Sequence, residues 1–111
     1  MSNKRVNVSI IVVNYKVKNY LFLCLNSIYK SETDLFYEVI VVDNDENVTI
    51  YEDLKKNFPK VIYVRNHSNT GYGGGNNLGA KHANGEYLFF LNPDTLVMDN
   101  AIEQLYKFIK S

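Results

Sequence analysis

Val6-Asn7-Val8-Ser9-Ile10-Ile11-Val12-Val13 (VNVSIIVV) is β-branched and nearly continuous in apolar character. That is the pattern of a strand buried on both faces. From about Lys18 to Lys30 the period changes. Leu21, Cys24, Leu25 and Ile28 fall three and four apart, which marks one face of a helix. Glu38 to Val42 (EVIVV) is a second buried strand, closed by Asp43-Asn44-Asp45. Ile50 to Phe58 reads as a short helix ended by Pro59. Val61 to Val64 (VIYV) is a third strand. Asn69 to Gly79 is rich in Gly and Asn and reads as a loop flowing into a weak helix pattern around Leu78 to Ala83. After the turn signal Asn84-Gly85, Glu86 to Leu91 (EYLFFL) is a fourth strand, stopped by Asn92-Pro93-Asp94. Asp99 or Asn100 can cap a last helix, with Glu103 close to capping-box spacing from Asn100. Ile102, Leu105, Tyr106 and Ile109 supply its apolar face.

Strands separated by helical segments imply right-handed crossovers and a mostly parallel sheet covered on both faces. The expected fold is three-layer α/β, Rossmann-like, with four parallel strands in the order 3-2-1-4. Ligands on such sheets bind at the carboxyl ends of the strands. Those ends are all polar or Gly-rich here: Asn14 and Tyr15, Asp43 to Asp45, Asn66 to Gly75, and Asn92 to Asp94.

Each set has two readings. Asp43 at a strand tip can accept a hydrogen bond from a uracil or thymine N3–H or a ribose hydroxyl, or it can form the turn that follows. The glycines of Asn69-Thr70-Gly71-Tyr72-Gly73-Gly74-Gly75-Asn76-Asn77 can bring backbone amides to an anion, or make a flexible loop. Asn92-Pro93-Asp94 can present oxygen to a divalent cation bridging a diphosphate, or simply end the strand. Two phosphate motifs fail. G-x-G-x-x-G read from Gly71 or Gly73 meets Asn76 or Leu78 at its last glycine, and the P-loop spacing of Gly74 to Gly79 is followed by Ala80-Lys81. Neither a dinucleotide dehydrogenase nor a P-loop NTPase is supported. A response-regulator fold would need an acidic pair after the first strand, where Asn14-Tyr15 stand.

The 111 residues allow one domain at most, with 46% apolar and 22% charged residues and no formal net charge. No electrostatic footprint for nucleic acid follows, so an anion must be held locally. The lone Cys24 reads as core filler, and His67 and His82 lack paired metal spacing. The first apolar run is too short for a signal peptide or a membrane span. A cytoplasmic chain is expected, with the parent protein on the inner face of a membrane.

The ordered series resembles the N-terminal region of family 2 glycosyltransferases with the GT-A fold, nearest to their rhamnosyltransferase-like branch. It runs from Val8 to Tyr15, through Leu21-x-x-Cys24-Leu25-x-Ser27-Ile28, Val39 to Asn44 and Asn69 to Asn77, to Gly85-Glu86-Tyr87-Leu88-Phe89-Phe90-Leu91-Asn92-Pro93-Asp94. The resemblance implies transfer of a sugar from a nucleoside-diphosphate donor to a saccharide or lipid-linked acceptor, with inversion and with Mg²⁺ or Mn²⁺. Asn14 and Tyr15 would line the nucleotide pocket and Asp43 would contact the base. Asn69, Gly71, Gly74, Asn76 and Asn77 would lie beside the donor. Asp94 matches the last acid of the family's Asp-x-Asp motif and would face the metal. Asn92 stands where the first acid would be and offers a carbonyl oxygen. Residues 1–111 are thus expected to be the donor-binding part, with the acceptor site and the general base beyond Ser111. The isolated chain is expected to be inactive and to self-associate through uncovered surface. The alternative is a nucleotide-binding module without turnover.

Overall fold

The computed structural model describes residues 5–111. The strands are β1 (Val8–Asn14), β2 (Tyr37–Asp43), β3 (Ile62–Arg65) and β4 (Tyr87–Leu91), and the helices are α1 (Lys18–Lys30), α2 (Tyr51–Asn57), α3 (Gly71–Lys81) and α4 (Ala101–Lys110). All pairings are parallel and the sheet order is β3-β2-β1-β4, as expected.

The period of two along each strand sorts the side chains. Val8, Ile10 and Val12 of β1 and Val39 and Val41 of β2 face α1, α2 and α4, in one core cluster with Leu21, Leu25, Leu54 and Ile102. Ile11, Val13, Ile40, Val42 and Val64 form a smaller cluster on the opposite face, where α3 lies over β1 and β2. β1 is buried along its whole length, which explains its unbroken apolar run.

One expectation is corrected. From Gly71 on, the glycine-rich stretch is no loop before a weak helix; it is most of α3, which starts at Gly71. Glycine is a poor helix former, so propensity hides this element. Packing explains it. A Cβ on Gly75 would stand 2.8 Å from Val13 Cγ1, and one on Gly79 would stand 2.6 Å from Ile11 Cγ2. Glycine on this face lets the helix axis approach the central strands. Gly71 itself has φ +75°, a left-handed entry that a side chain disfavours.

The last helix also differs. No side chain caps it. Glu103 accepts hydrogen bonds from Thr33 Oγ1 (3.0 Å) and Asp34 N (3.2 Å) instead of closing a capping box. Of its four expected apolar residues, Ile102 and Tyr106 are buried, whereas Leu105 and Ile109 are exposed.

The end of α4 is tied to the start of β4. Glu86 accepts from Tyr106 Oη (2.8 Å) and Lys110 Nζ (2.9 Å). The Lys110 hydrogen bond, then that of Tyr106, hold the Glu86 pKa below its ordinary value of 4.5. Its stabilising effect is therefore complete above that value and is lost as pH falls through the lowered one. Thermal melts of Glu86→Gln should show a shallower loss of stability below pH 4.5 than the parent chain; parallel curves would refute this. No helix among the described residues is long and apolar enough to cross a membrane.

Candidate functional site

Asn14, Asp43 and Arg65 end their strands side by side, because the register pairs Asn14 with Asp43 and Asp43 with Arg65. Paired residues in a parallel sheet point to the same face, here the face of α1 and α2. Asp43 is fully buried and both its oxygens are engaged. Oδ1 accepts from Asn14 Nδ2 (3.3 Å) and Asp45 N (3.3 Å). Oδ2 accepts from Ile50 N (3.3 Å), Tyr63 Oη (2.7 Å) and Arg65 Nη1 (3.2 Å). The Arg65 guanidinium is the counter-charge this buried carboxylate needs. Burial pushes the Tyr63 phenol pKa up, and the neighbouring carboxylate adds to the rise. Asn14 is buried too, and its Oδ1 accepts from Val17 N at 3.3 Å. It therefore fixes the turn that delivers α1, in which Lys16 takes a left-handed φ of 59°.

One residue further along, the chain points the other way. Tyr15 and Asn44 line an open cleft of about 720 Å³ at the carboxyl ends of the strands. Asn69, Gly71, Asn92 and Asp94 line the same cleft, with the rings of Tyr20 and Tyr72 on its walls. This volume lies within the range of small-ligand sites. A neighbouring cleft of about 470 Å³ is lined by Asn14, Lys16, Asp45 and Ile50, and shares Val17 and Tyr20 with the first.

The cleft wall beside α3 is held by a chain of amides. Asn66 Nδ2 donates to Asn44 Oδ1 (2.7 Å) and to Thr70 Oγ1 (2.9 Å). Asn44 Nδ2 donates to Gly71 O (3.0 Å), and Gly71 N donates to Asn69 Oδ1 (2.9 Å). The first turn of α3 thus opens onto the cleft with its positive dipole end, and a Cβ on Gly73 would meet nothing within 4 Å. Across the cleft, Thr95 Oγ1 donates to Asn92 O at 2.7 Å and sets the turn carrying Asp94.

Of the sequence-expected site residues, Tyr15, Asn69, Gly71, Asn92 and Asp94 converge on one cleft. Asn14 lines the neighbouring cleft, and Asp43 is fully buried at the tip of β2. Gly74 packs against the Thr70 side chain. Asn76 is buried, with an Oδ1 that has no donor among the described residues, and Asn77 is exposed on α3. Sequence reasoning missed Tyr20 and Arg65 and gave Asn44 and Asn66 no individual role. Asn44 and Asn66 stood inside the polar strand-end sets. Their roles depend on register, which the sequence does not display. No group of three or more His, Cys, Asp or Glu among the described residues could hold a metal by itself.

The sequence model of the family described as "Glycosyl transferase family 2" matches residues 9–111. Glycosyltransferase GlyA of Streptococcus pneumoniae is 31% identical over 104 residues, covering 90% of this chain and 14% of that protein. Minor teichoic acid biosynthesis protein GgaB of Bacillus subtilis is 28% identical over 104 residues, covering 90% of this chain and 12% of that protein. The crystal structure of S. aureus TarS 1-349 superposes with a TM-score of 0.79 at 26% identity, over 94% of this chain and 32% of that one. TarS has also been solved with UDP and with UDP-GlcNAc, each matching with a TM-score of 0.75. The chain spans about a third or less of the length of each of these relatives. The expected architecture, four parallel strands in the order 3-2-1-4, is the one observed.

Proposed function

The chain belongs to glycosyl transferase family 2, and we propose that its strand-end cleft binds the nucleoside-diphosphate sugar donor of an inverting glycosyl transfer. The observation that carries this reading is the convergence of Tyr15, Asn69, Gly71, Asn92 and Asp94 on one cleft, on a fold shared with a protein solved with UDP-GlcNAc.

In this assignment the Tyr15 ring offers a flat apolar face to the base. The amides of the first α3 turn face the diphosphate. Asp43 orders Asn14 and the segment leading to α2; a base N–H could reach it only by displacing one of its 3.3 Å partners. Asp94 and Asn92 both line the cleft. One carboxylate and one amide oxygen suit Mg²⁺ or Mn²⁺ when substrate phosphates and water complete the coordination. When bound, the ion supplies positive charge against the departing nucleoside diphosphate. No residue of 5–111 is assigned as general base. The attacking hydroxyl is expected to be deprotonated elsewhere, and this chain alone to bind donor without transferring it.

The acceptor is proposed to be a cell-surface polysaccharide or glycolipid intermediate, a reading supported by the teichoic acid protein among the relatives. The site would then work on the cytoplasmic side, with the whole protein at the inner face of the membrane. A rhamnosyltransferase-like specificity is the narrower reading, supported by the form of the Asn69–Asn77 stretch and of Asn92-Pro93-Asp94.

Calorimetric titration of UDP, GDP and dTDP, with and without Mn²⁺, tests the assignment. One nucleotide should bind, and Asp94→Ala should remove its metal dependence while leaving the melting temperature near that of the parent chain. A metal effect that survives Asp94→Ala would place the ion elsewhere. Metal-independent binding with no transfer in any longer form of the protein would favour a nucleotide-binding module.

A further inference from the structure

Leu91 is the last residue of β4 to pair with β1, opposite Val12. The chain then leaves the sheet through Asn92-Pro93-Asp94-Thr95 and reaches α4 at Ala101. This turn is closed on itself. The Thr95 amide (3.1 Å) and hydroxyl (2.7 Å) both donate to Asn92 O. It is held against the rest of the fold by one face of α1. Val97 N donates to Ser27 Oγ at 2.9 Å, and Thr95 Oγ1 lies 3.9 Å from Cys24 Sγ. Among the described residues, these are the hydrogen bonds that join residues 92–97 to another element.

Residues three apart on a helix are neighbours on its surface, so Cys24 and Ser27 act as one anchor. A hydroxyl has one proton and two lone pairs. The Ser27 proton goes to Cys24 O at 2.6 Å, inside α1, which turns a lone pair of Oγ toward the Val97 amide. The Thr95 proton is spent on Asn92 O, so the Cys24 thiol is the donor to Thr95 Oγ1. A serine inside a helix ordinarily bonds back to its own backbone and no further. Ser27 does this and also takes an amide 70 positions away.

We propose that Ser27 is a positioning residue for Asp94, an inference that rests on the reading of the cleft as a nucleotide-sugar donor site. The β4 ladder fixes the chain before Asn92, and Ser27 fixes it after Asp94. The side chain at issue is thus carried on a short span held at both ends. Ser27→Ala removes the acceptor of the Val97 amide. The Val97 side chain still packs against the core cluster, so the segment stays on the protein while Asp94 gains freedom around the position that meets the ion and the diphosphate. Groups that orient a metal ligand are worth about 10–100-fold in metal affinity. One bond, three residues from the ligand, belongs at the lower end of that range.

Calorimetric titration of UDP, GDP and dTDP with and without Mn²⁺ gives the factor by which the ion strengthens binding. Ser27→Ala should lower that factor roughly tenfold. Ser27→Thr keeps the hydroxyl and should restore it. Once Asp94→Ala is present, adding Ser27→Ala should change the factor no further, because Ser27 acts through Asp94. In the free chain, hydrogen exchange at the Val97 amide should quicken in Ser27→Ala and return to the parent rate in Ser27→Thr. A parent-like metal factor in Ser27→Ala, beside a lost one in Asp94→Ala, overturns the positioning role and leaves the donor-site reading standing. An added loss in the double variant, or unchanged exchange at Val97, overturns it too. No metal effect in the parent chain removes both the role and the metal assignment it serves.

Discussion

Asp43→Ala is expected to abolish nucleotide binding and to lower the unfolding free energy by about 3–5 kcal/mol. The carboxylate is fully buried and takes five hydrogen bonds. Alanine would leave the Arg65 guanidinium without its counter-ion and the Ile50 amide without an acceptor, and it would release Asn14, which holds the entry to α1. The loss is thus larger than the net worth of any one bond, because several groups stay desolvated and unpaired. Tyr63→Phe removes a single donor and should cost about 2 kcal/mol. Denaturant unfolding of both variants decides it. If Asp43→Ala costs no more than Tyr63→Phe, Asp43 does not organise the strand tips.

Gly85→Ala should be about as damaging at the other end of the sheet. A Cβ there would stand 2.5 Å from Ser9 N and 2.8 Å from Val8 C. Backbone of the central strand cannot step aside as a side-chain tip can. The turn is also pinned: Gly85 N donates to Ser9 Oγ (2.7 Å), Ser9 Oγ to Glu38 Oε2 (2.6 Å), and Asn84 N to the same Glu38 oxygen (2.7 Å). Overpacking of this kind costs about 3 kcal/mol, and for a domain near this size each kcal/mol lowers the melting midpoint by roughly 4–8 °C. Gly73→Ala is the contrast. Nothing lies within 4 Å of its Cβ position, and alanine in a helix should stabilise by about 0.5–1 kcal/mol. Equal melting temperatures for the two variants would contradict the packing described here.

These glycines show where the sequence was legible and where it was not. β1 and β2 announced themselves because burial on both faces leaves an unbroken run of Val and Ile, and α1 because Leu21, Cys24, Leu25 and Ile28 keep a helical period. The start of α3 was hidden. Its glycines answer to Val13, Ile11 and Val42 on distant strands, a tertiary demand that overrides local propensity. The strand-end residues were found as a set, but not sorted. Neighbours such as Asn14 and Tyr15, or Asp43 and Asn44, go to opposite faces, and a strand's parity is fixed by its pairing rather than by residue type. For the same reason Arg65 could not be recognised as the partner of Asp43. In α4 a helical stripe was visible, yet only contacts such as Glu103 with Thr33 show which part of it faces the sheet.

The central claim is that the cleft between Tyr15, the start of α3 and Asp94 is a nucleotide-sugar site. A two-dimensional amide NMR titration of the chain with UDP and Mg²⁺ tests it most directly. The expected result is saturable shifts concentrated at Tyr15, Asn44, Asn69, Gly71, Tyr72 and Asp94, with the Gly85 turn at the far end of the sheet unchanged. Shifts centred away from the strand tips, or none with any of UDP, GDP and dTDP, would contradict it.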